Sequence, residues 1–409
     1  MRSVILTKLP ICVLSFAALL WLSCGQDPAD SLFDPNLQHR PQPVITSLVP
    51  ADSALAGVGQ VLINGQNFSK TPEENLVFFD EETAEVLSAT NQQLTVKTPQ
   101  LLGDSIKIRV AVRGAQLFSK PAIYKLIPAV SDFSKIFEGA IVYGIASDLS
   151  GNVYYFANSE SFGPQIFKAN PSGEAQLFAT PNILKANAMK IGPGETLYVV
   201  PSGRVRKIST FAPDGTENTY TTLPISPQDL DFDSNGNIWV VGGSSLARVK
   251  PDKSSQIMAT VSIDGLLTVR VYSNYVYIGG VNSSSDEKKI WRYEIQGETL
   301  GVQELVLDVT SASWLAGAAV QTFTFSENAD MILGTTHPEG LFIMTVGGSD
   351  GQPLYPGLLL PEIYAMTWAE SNTLYAVRQR RIEGQNSFDF SQIYKITMTT
   401  NGAPYYGRQ

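Results

Sequence analysis

The sequence predicts an all-β protein in which an immunoglobulin-like sandwich precedes a six-bladed β-propeller. Three observations carry that expectation. Residues 143–398 repeat themselves six times, with inner strands starting at Gly144, Ala188, Asp229, Thr268, Thr322 and Ala365, 39 to 54 residues apart. A repeat near 40 residues, built of apolar strands joined by Gly/Asn/Asp turns, is the signature of a propeller blade. Ahead of it, residues 43–127 break into about seven short strands divided by turn signals, as a sandwich does. Finally, 44% hydrophobic and only 16% charged residues describe a chain that packs a core.

The N-terminus reads as a targeting segment. Arg2 and Lys8 supply a positive start, and residues 11–22 form an apolar stretch too short for a comfortable membrane span. Trp21-Leu22-Ser23-Cys24-Gly25 follows. This resembles a bacterial lipoprotein signal, which implies that residues 1–23 are removed and that Cys24 becomes a lipidated first residue. The other cysteine, Cys12, lies in the segment to be removed, so neither a disulfide nor a catalytic thiol is expected. Residues 24–42, poor in apolar periodicity, read as a tether that holds the folded part off a membrane of the cell envelope. The signal does not say which membrane, or which face.

The sandwich segment opens with Pro43-Val-Ile45-Thr-Ser-Leu48-Val-Pro50 and continues through Gly57 and Gly59 to Gly65-Gln-Asn67-Phe68. These elements, in this order, resemble an IPT/TIG domain, and the resemblance implies a spacer or interaction module without catalytic residues. In the propeller segment, 128–409, the copies at Gly144-Ile-Ala-Ser-Asp148-Leu-Ser-Gly151-Asn152 and Asp229-Leu-Asp-Phe-Asp233-Ser-Asn-Gly236-Asn237 resemble NHL-type six-bladed propellers. The last repeat lacks a fourth strand, whereas Phe133–Phe137 resembles one out of place. The sequence therefore predicts that this segment pairs with residues 392–398 and closes the ring, removing an exposed edge. The longest spacing, from Thr268 to Thr322, points to an insertion around 282–289.

Along each inner strand the second and fourth positions are apolar in every repeat but one, the packing face of a blade. The third position reads Lys190, Asp231 and Arg270 in three consecutive blades. Those charges would meet near the channel axis, either as a structural ion-pair network or as a polar ligand patch. One residue ahead of each inner strand stand Tyr143, Asn187, Gln228, Leu267, Gln321 and Tyr364. Asn187, Gln228, Gln321 and Tyr364 at one channel mouth would suit a neutral polar ligand such as a sugar, and the competing reading is that the amides satisfy turn backbones.

A net charge of −9 without any basic run argues against nucleic acid. Two histidines, His39 in the tether and His337 in a fifth-blade loop, leave no His-based zinc site and no serine triad. No cofactor is expected. Asp229, Asp231 and Asp233 alternate along one strand and raise calcium as a minor alternative, although Asp233 matches the turn residue Asp148. The function expected is a lipid-anchored envelope protein whose propeller presents a site for a glycan or a protein. The alternative is a propeller enzyme of lactonase or lyase type. Enzymes resembling gluconolactonases hold a channel metal through Glu, Asn and Asp, whereas this chain offers Asn187, Asp229 and Asp231 with no inner-strand Glu.

Overall fold

The computed structural model describes residues 40–408 apart from 349, 370 and 386. The signal segment, Cys24, His39 and most of the tether lie outside the described residues. The chain divides into two compact units, the first made largely of residues 40–51, 61–97 and 106–124 and the second largely of 125–408.

The first unit is a two-sheet sandwich. Val44–Val49, Gln60–Gln66, Gln93–Lys97 and Val86–Ala89 form one antiparallel sheet. The other runs Ser53–Leu55, Ala122–Ile127, Gly103–Val112, Asn75–Phe79 and Glu82–Ala84, with its first pair parallel. Period-two alternation sends Val61 and Ile63 inward from one sheet and Val77, Phe79, Ile108 and Val110 from the other, all fully buried. The Gly65-Gln-Asn67-Phe68 element has a steric origin. A Cβ on Gly65 would lie 2.0 Å from the Val44 carbonyl oxygen, and Asn67 takes a left-handed φ of 64° while its side-chain amide donates to the Gln42 carbonyl.

The second unit is a ring of six antiparallel sheets. The innermost strands of blades one to six are Ile141–Ser147, Ala186–Gly192, Asp229–Phe232, Gly265–Tyr272, Val320–Phe325 and Ile363–Trp368. Each is followed outward by its blade partners in sequence order. The apolar second and fourth positions are buried in every blade, and facing blades share clusters such as Met189, Ile191, Leu197 and Phe211 with Tyr154 and Phe156. The repeat motif is a turn device. In blade three the two Asp233 carboxylate oxygens accept the backbone N–H of Asn235 and Asn237, the Asn237 side-chain amide and the indole N–H of Trp239, each at 2.9 Å. Gly236, with φ of 76°, closes that turn. Asp148 does the same for Asn152 in blade one.

Ring closure differs from the expectation in register. The closing strand is Val130–Asp132, which pairs antiparallel with Phe388–Thr397 as Val130 with Ile396 and Asp132 with Tyr394. The expected segment begins three residues too late. Phe133 still donates its N–H to the Ile393 carbonyl at 2.8 Å, but its ring is a core anchor, 4.5 Å from the Tyr375 ring. Ser134 then turns the chain away with φ of 48°. The insertion is also elsewhere. Blade four gains a hairpin between Lys288–Gln296 and Thr299–Leu300, and a long connection before blade five that carries the turn Ser313–Leu315. Glu298 at the hairpin tip bonds Arg248 and Lys250 of blade three at 2.7 and 2.6 Å, so the added residues fasten two blades together.

Candidate functional site

The channel is built by a repeated backbone irregularity. In blade one Val142 faces Ala157 and Gly144 faces Phe156, leaving Tyr143 as an extra residue opposite no partner. The same one-residue bulge falls on Asn187, Leu267, Gln321 and Tyr364. In blade three Gln228 donates to the Val241 carbonyl that already faces Asp229. A register shift thus falls on five of the six pre-strand residues. A bulge re-aims a side chain out of the pleat, and here it does so five times around one mouth of the ring.

The mouth residues differ in how much hydrogen-bonding capacity they keep. The Asn187 amide donates to the Pro227 carbonyl at 3.1 Å and to Gln228 Oε1 at 3.0 Å, which fixes both amides. The Tyr364 hydroxyl donates to Glu362 at 2.5 Å and meets Arg381. Burial and the Glu362 carboxylate push that phenol well above its usual range. Gln321 makes no side-chain hydrogen bond among the described residues, and neither does the Tyr143 hydroxyl. These two remain available to a ligand, whereas Asn187, Gln228 and Tyr364 are held in place beforehand.

Below the mouth lies a layer of four charges. Arg270 donates to Asp229 at 2.5 Å and to Thr322 at 3.2 Å. Asp229 also accepts the N–H groups of Leu230 and Val269. Asp231 accepts the Val271 N–H at 2.8 Å and stands 3.9 Å from Lys190. The sequence placed Lys190, Asp231 and Arg270 in one chain of charges, and the structure brings all three together. The tight partner of Arg270, however, is Asp229, which that reading had left out of the network. The first and third positions of a strand share one face, so Asp229 reaches the axis as Asp231 does. Desolvation is the main electrostatic effect. It pushes the Lys190 ammonium down to about 8, reinforced by Arg270 and opposed by Asp231 and Asp229. It also pushes the Asp231 carboxyl up, against the pull of Lys190 and Arg270. Lys190 is still mostly protonated at neutral pH. Asp231 Oδ1 and Arg270 Nε are buried without a hydrogen-bond partner.

Lys190 and Arg270 line a cavity on each side of this layer and so partition the channel. The mouth-side cavity, about 30 Å³, is bounded by Asn187, Asp229, Leu267, Gln321 and Tyr364. The far cavity, about 40 Å³, is capped by the C-terminal tail, which contributes Ala403, Pro404, Tyr405 and Arg408. Each holds only a few waters. Ala403 donates its N–H to the Phe325 carbonyl at 3.0 Å. The Tyr405 hydroxyl donates to the Ile191 carbonyl at 2.7 Å, and Lys190 Nζ lies 5.5 Å from the Tyr405 ring centre. Arg408 donates to the Trp368 carbonyl at 2.6 Å. This plug is not legible in the sequence, because a Gly/Pro/Tyr tail has no strand periodicity.

Asp233 belongs to its turn and gives both oxygens to N–H donors, while Asp229 and Asp231 serve Arg270, Lys190 and backbone amides. Among the described residues no group of three or more His, Cys, Asp or Glu could hold a metal ion. His337 sits in a blade-five loop, where its Nδ1 accepts the Glu339 N–H.

Residues 43–125 match the model of the IPT/TIG domain. No curated protein sequence matches the chain. Among solved structures, an auxiliary nutrient binding protein from Bacteroides thetaiotaomicron is similar at 12% identity and a TM-score of 0.50, covering 89% of this chain and 98% of its own. A luciferin-regenerating enzyme is similar at 12% identity and a TM-score of 0.53, covering 68% of this chain and 98% of its own. At such identities the likeness concerns the fold. The chain is an IPT/TIG domain followed by a six-bladed β-propeller.

Proposed function

We propose that this protein is a binding module of the bacterial cell envelope, in which the propeller holds a polar ligand, a glycan before a protein, at the bulged mouth. The IPT/TIG domain serves as a spacer behind a lipid anchor on Cys24. The observation that carries the reading is the bulge repeated in five blades, which brings Asn187, Leu267, Gln321 and Tyr364 to the mouth-side cavity while the opposite end is plugged by the tail. Fixed amides beside the free Gln321 amide and Tyr143 hydroxyl suit a ligand rich in hydroxyl groups. The mouth-side cavity is too small for a whole sugar ring, so the ligand lies across the rim and sends one group inward.

Fold likeness leaves the functional class open, since one neighbour is named a binding protein and the other an enzyme. The enzymatic alternative, a lactonase or lyase, draws its support from Lys190, an amine brought close to neutral titration beside Asp231. Against a metal-dependent form stand the ammonium and guanidinium at the centre of the channel.

The test is calorimetric titration of the tether-free protein with an oligosaccharide panel, followed by Gln321→Ala. Loss of one free hydrogen-bonding group is expected to weaken binding by about five- to tenfold, with an unchanged melting temperature. Binding unaffected by Gln321→Ala and by Tyr143→Phe would place the ligand elsewhere, and turnover of the bound sugar or of a lactone would favour the enzyme. For the anchor, Cys24→Ala is expected to move the protein from the membrane to the soluble fraction. Retention on membranes would refute lipidation at that residue.

A further inference from the structure

The rim of blade two carries positive charge that no carboxylate among the described residues neutralises. Lys185 immediately precedes the inner strand Ala186–Gly192, and its Nζ lies 4.6 Å from the centre of the Tyr143 ring. It is half-buried, and that burial lowers its affinity for a proton. No carboxylate pairs with it among the described residues. Its backbone is fixed from both sides. The Lys185 carbonyl accepts the Ser202 N–H at 2.9 Å, and the Leu184 carbonyl accepts the Asn158 side-chain amide at 2.9 Å. The first of these bonds brings up the loop 202–206, which adds exposed Arg204 and Arg206, again without an ion pair among the described residues. The one acid on the neighbouring blade-one loop is Glu160, which is exposed and makes no ion pair among the described residues. A chain of net charge −9 thus concentrates three cations against one carboxylate at a single sector of its mouth.

A half-desolvated ammonium without a counter-charge is costly, and a single aromatic face compensates only part of that cost. An anion arriving at the rim would complete the site. We propose that the ligand is a carboxylate-bearing sugar, a uronic acid unit, whose carboxylate is received by Lys185 with Arg204 and Arg206 while its hydroxyls meet the Tyr143 hydroxyl and the Gln321 amide. This rests on the mouth being the binding site and names the class of ligand it takes. A planar anionic lipid surface would use the same cations and the exposed Leu184 beside them. It would leave the free polar groups of the concave mouth unused, which is why the sugar is the better fit. The surrounding positive field would also speed the encounter with an acidic polymer.

The experiment compares uronate pentamers (galacturonate, mannuronate and glucuronate) with their methyl esters, which keep every hydroxyl and lose only the charge. The free acid of at least one series is expected to bind about tenfold more tightly than its ester, and Lys185→Gln is expected to bring the ratio close to one while leaving the affinity for the ester unchanged. The doubly substituted Arg204→Gln, Arg206→Gln protein, altered only at exposed positions, is expected to narrow the ratio part of the way and serves if Lys185→Gln fails to fold. Equal affinity for acid and ester overturns this inference and leaves glycan binding at the mouth standing. Binding of no sugar in the panel, with or without binding to anionic phospholipid vesicles, overturns both.

Discussion

Asp229→Asn is expected to lower the stability of the propeller by about 3–5 kcal/mol, the usual consequence of leaving a buried charge without its partner. The substitution keeps the shape of the side chain and a carbonyl oxygen that can still accept the Leu230 or Val269 N–H. What it removes is the charge 2.5 Å from Arg270, on a guanidinium that is only 6% exposed. Arg270 cannot shed its proton to escape. Asp231→Asn is expected to cost clearly less. Its ion pair with Lys190 is long, at 3.9 Å, and Lys190, already pushed down to about 8, can move further toward the neutral form. Thermal and urea unfolding of both variants measures the order. A larger loss for Asp231→Asn would contradict the assignment of Asp229 as the principal counter-charge. Combining Asp229→Asn with Arg270→Met should recover much of the loss, since no buried charge is then left without its partner.

Trp239→Ala is expected to cost a similar amount, about 3–5 kcal/mol, from lost burial and the cavity left behind. Trp239 is fully buried in the cluster that joins blades three and four, and its indole N–H is one of the four donors around Asp233. Trp239→Phe separates the contributions. It retains most of the apolar volume and loses the hydrogen bond, so a loss of about 1–2 kcal/mol is expected. Calorimetric melting checks both values. If the phenylalanine variant is as damaged as the alanine one, the bond to Asp233 matters more than the packing.

These two residues show what could be read from the sequence and what could not. The motif that contains Asp233 and Trp239 is a local device, complete within seven residues, so the repeat and its turn were visible directly. Gly65 and Asn67 in the sandwich were visible as a motif, although their causes are a close approach of the Val44 carbonyl and a left-handed turn tied to the Gln42 carbonyl. The blade count followed from spacing alone. Asp229 was missed as an ion partner although alternation puts it on the same face as Asp231, because sequence spacing does not say which of the two carboxylates lies at the height of Arg270 on the next blade. The bulges at Tyr143, Asn187, Gln321 and Tyr364 depend on which residue faces which across a hairpin, which sequence spacing does not encode. Ring closure was right in kind and three residues late in place, because Phe133 is as apolar as a strand residue while acting as a core anchor. Tyr405 and Lys185 act through contacts with residues distant in sequence or on another blade, and neither lies in a periodic pattern.

The central claim is that ligands bind at the bulged mouth. Hydrogen–deuterium exchange with the tightest-binding sugar of the panel, at saturation, tests it most directly. The account predicts that protection rises in segments 184–190, 226–231, 319–323 and 362–366, the rim and inner-strand starts of four blades, and is unchanged in the tail 402–408. Protection confined to the tail end of the channel, or to residues 43–125, would contradict it.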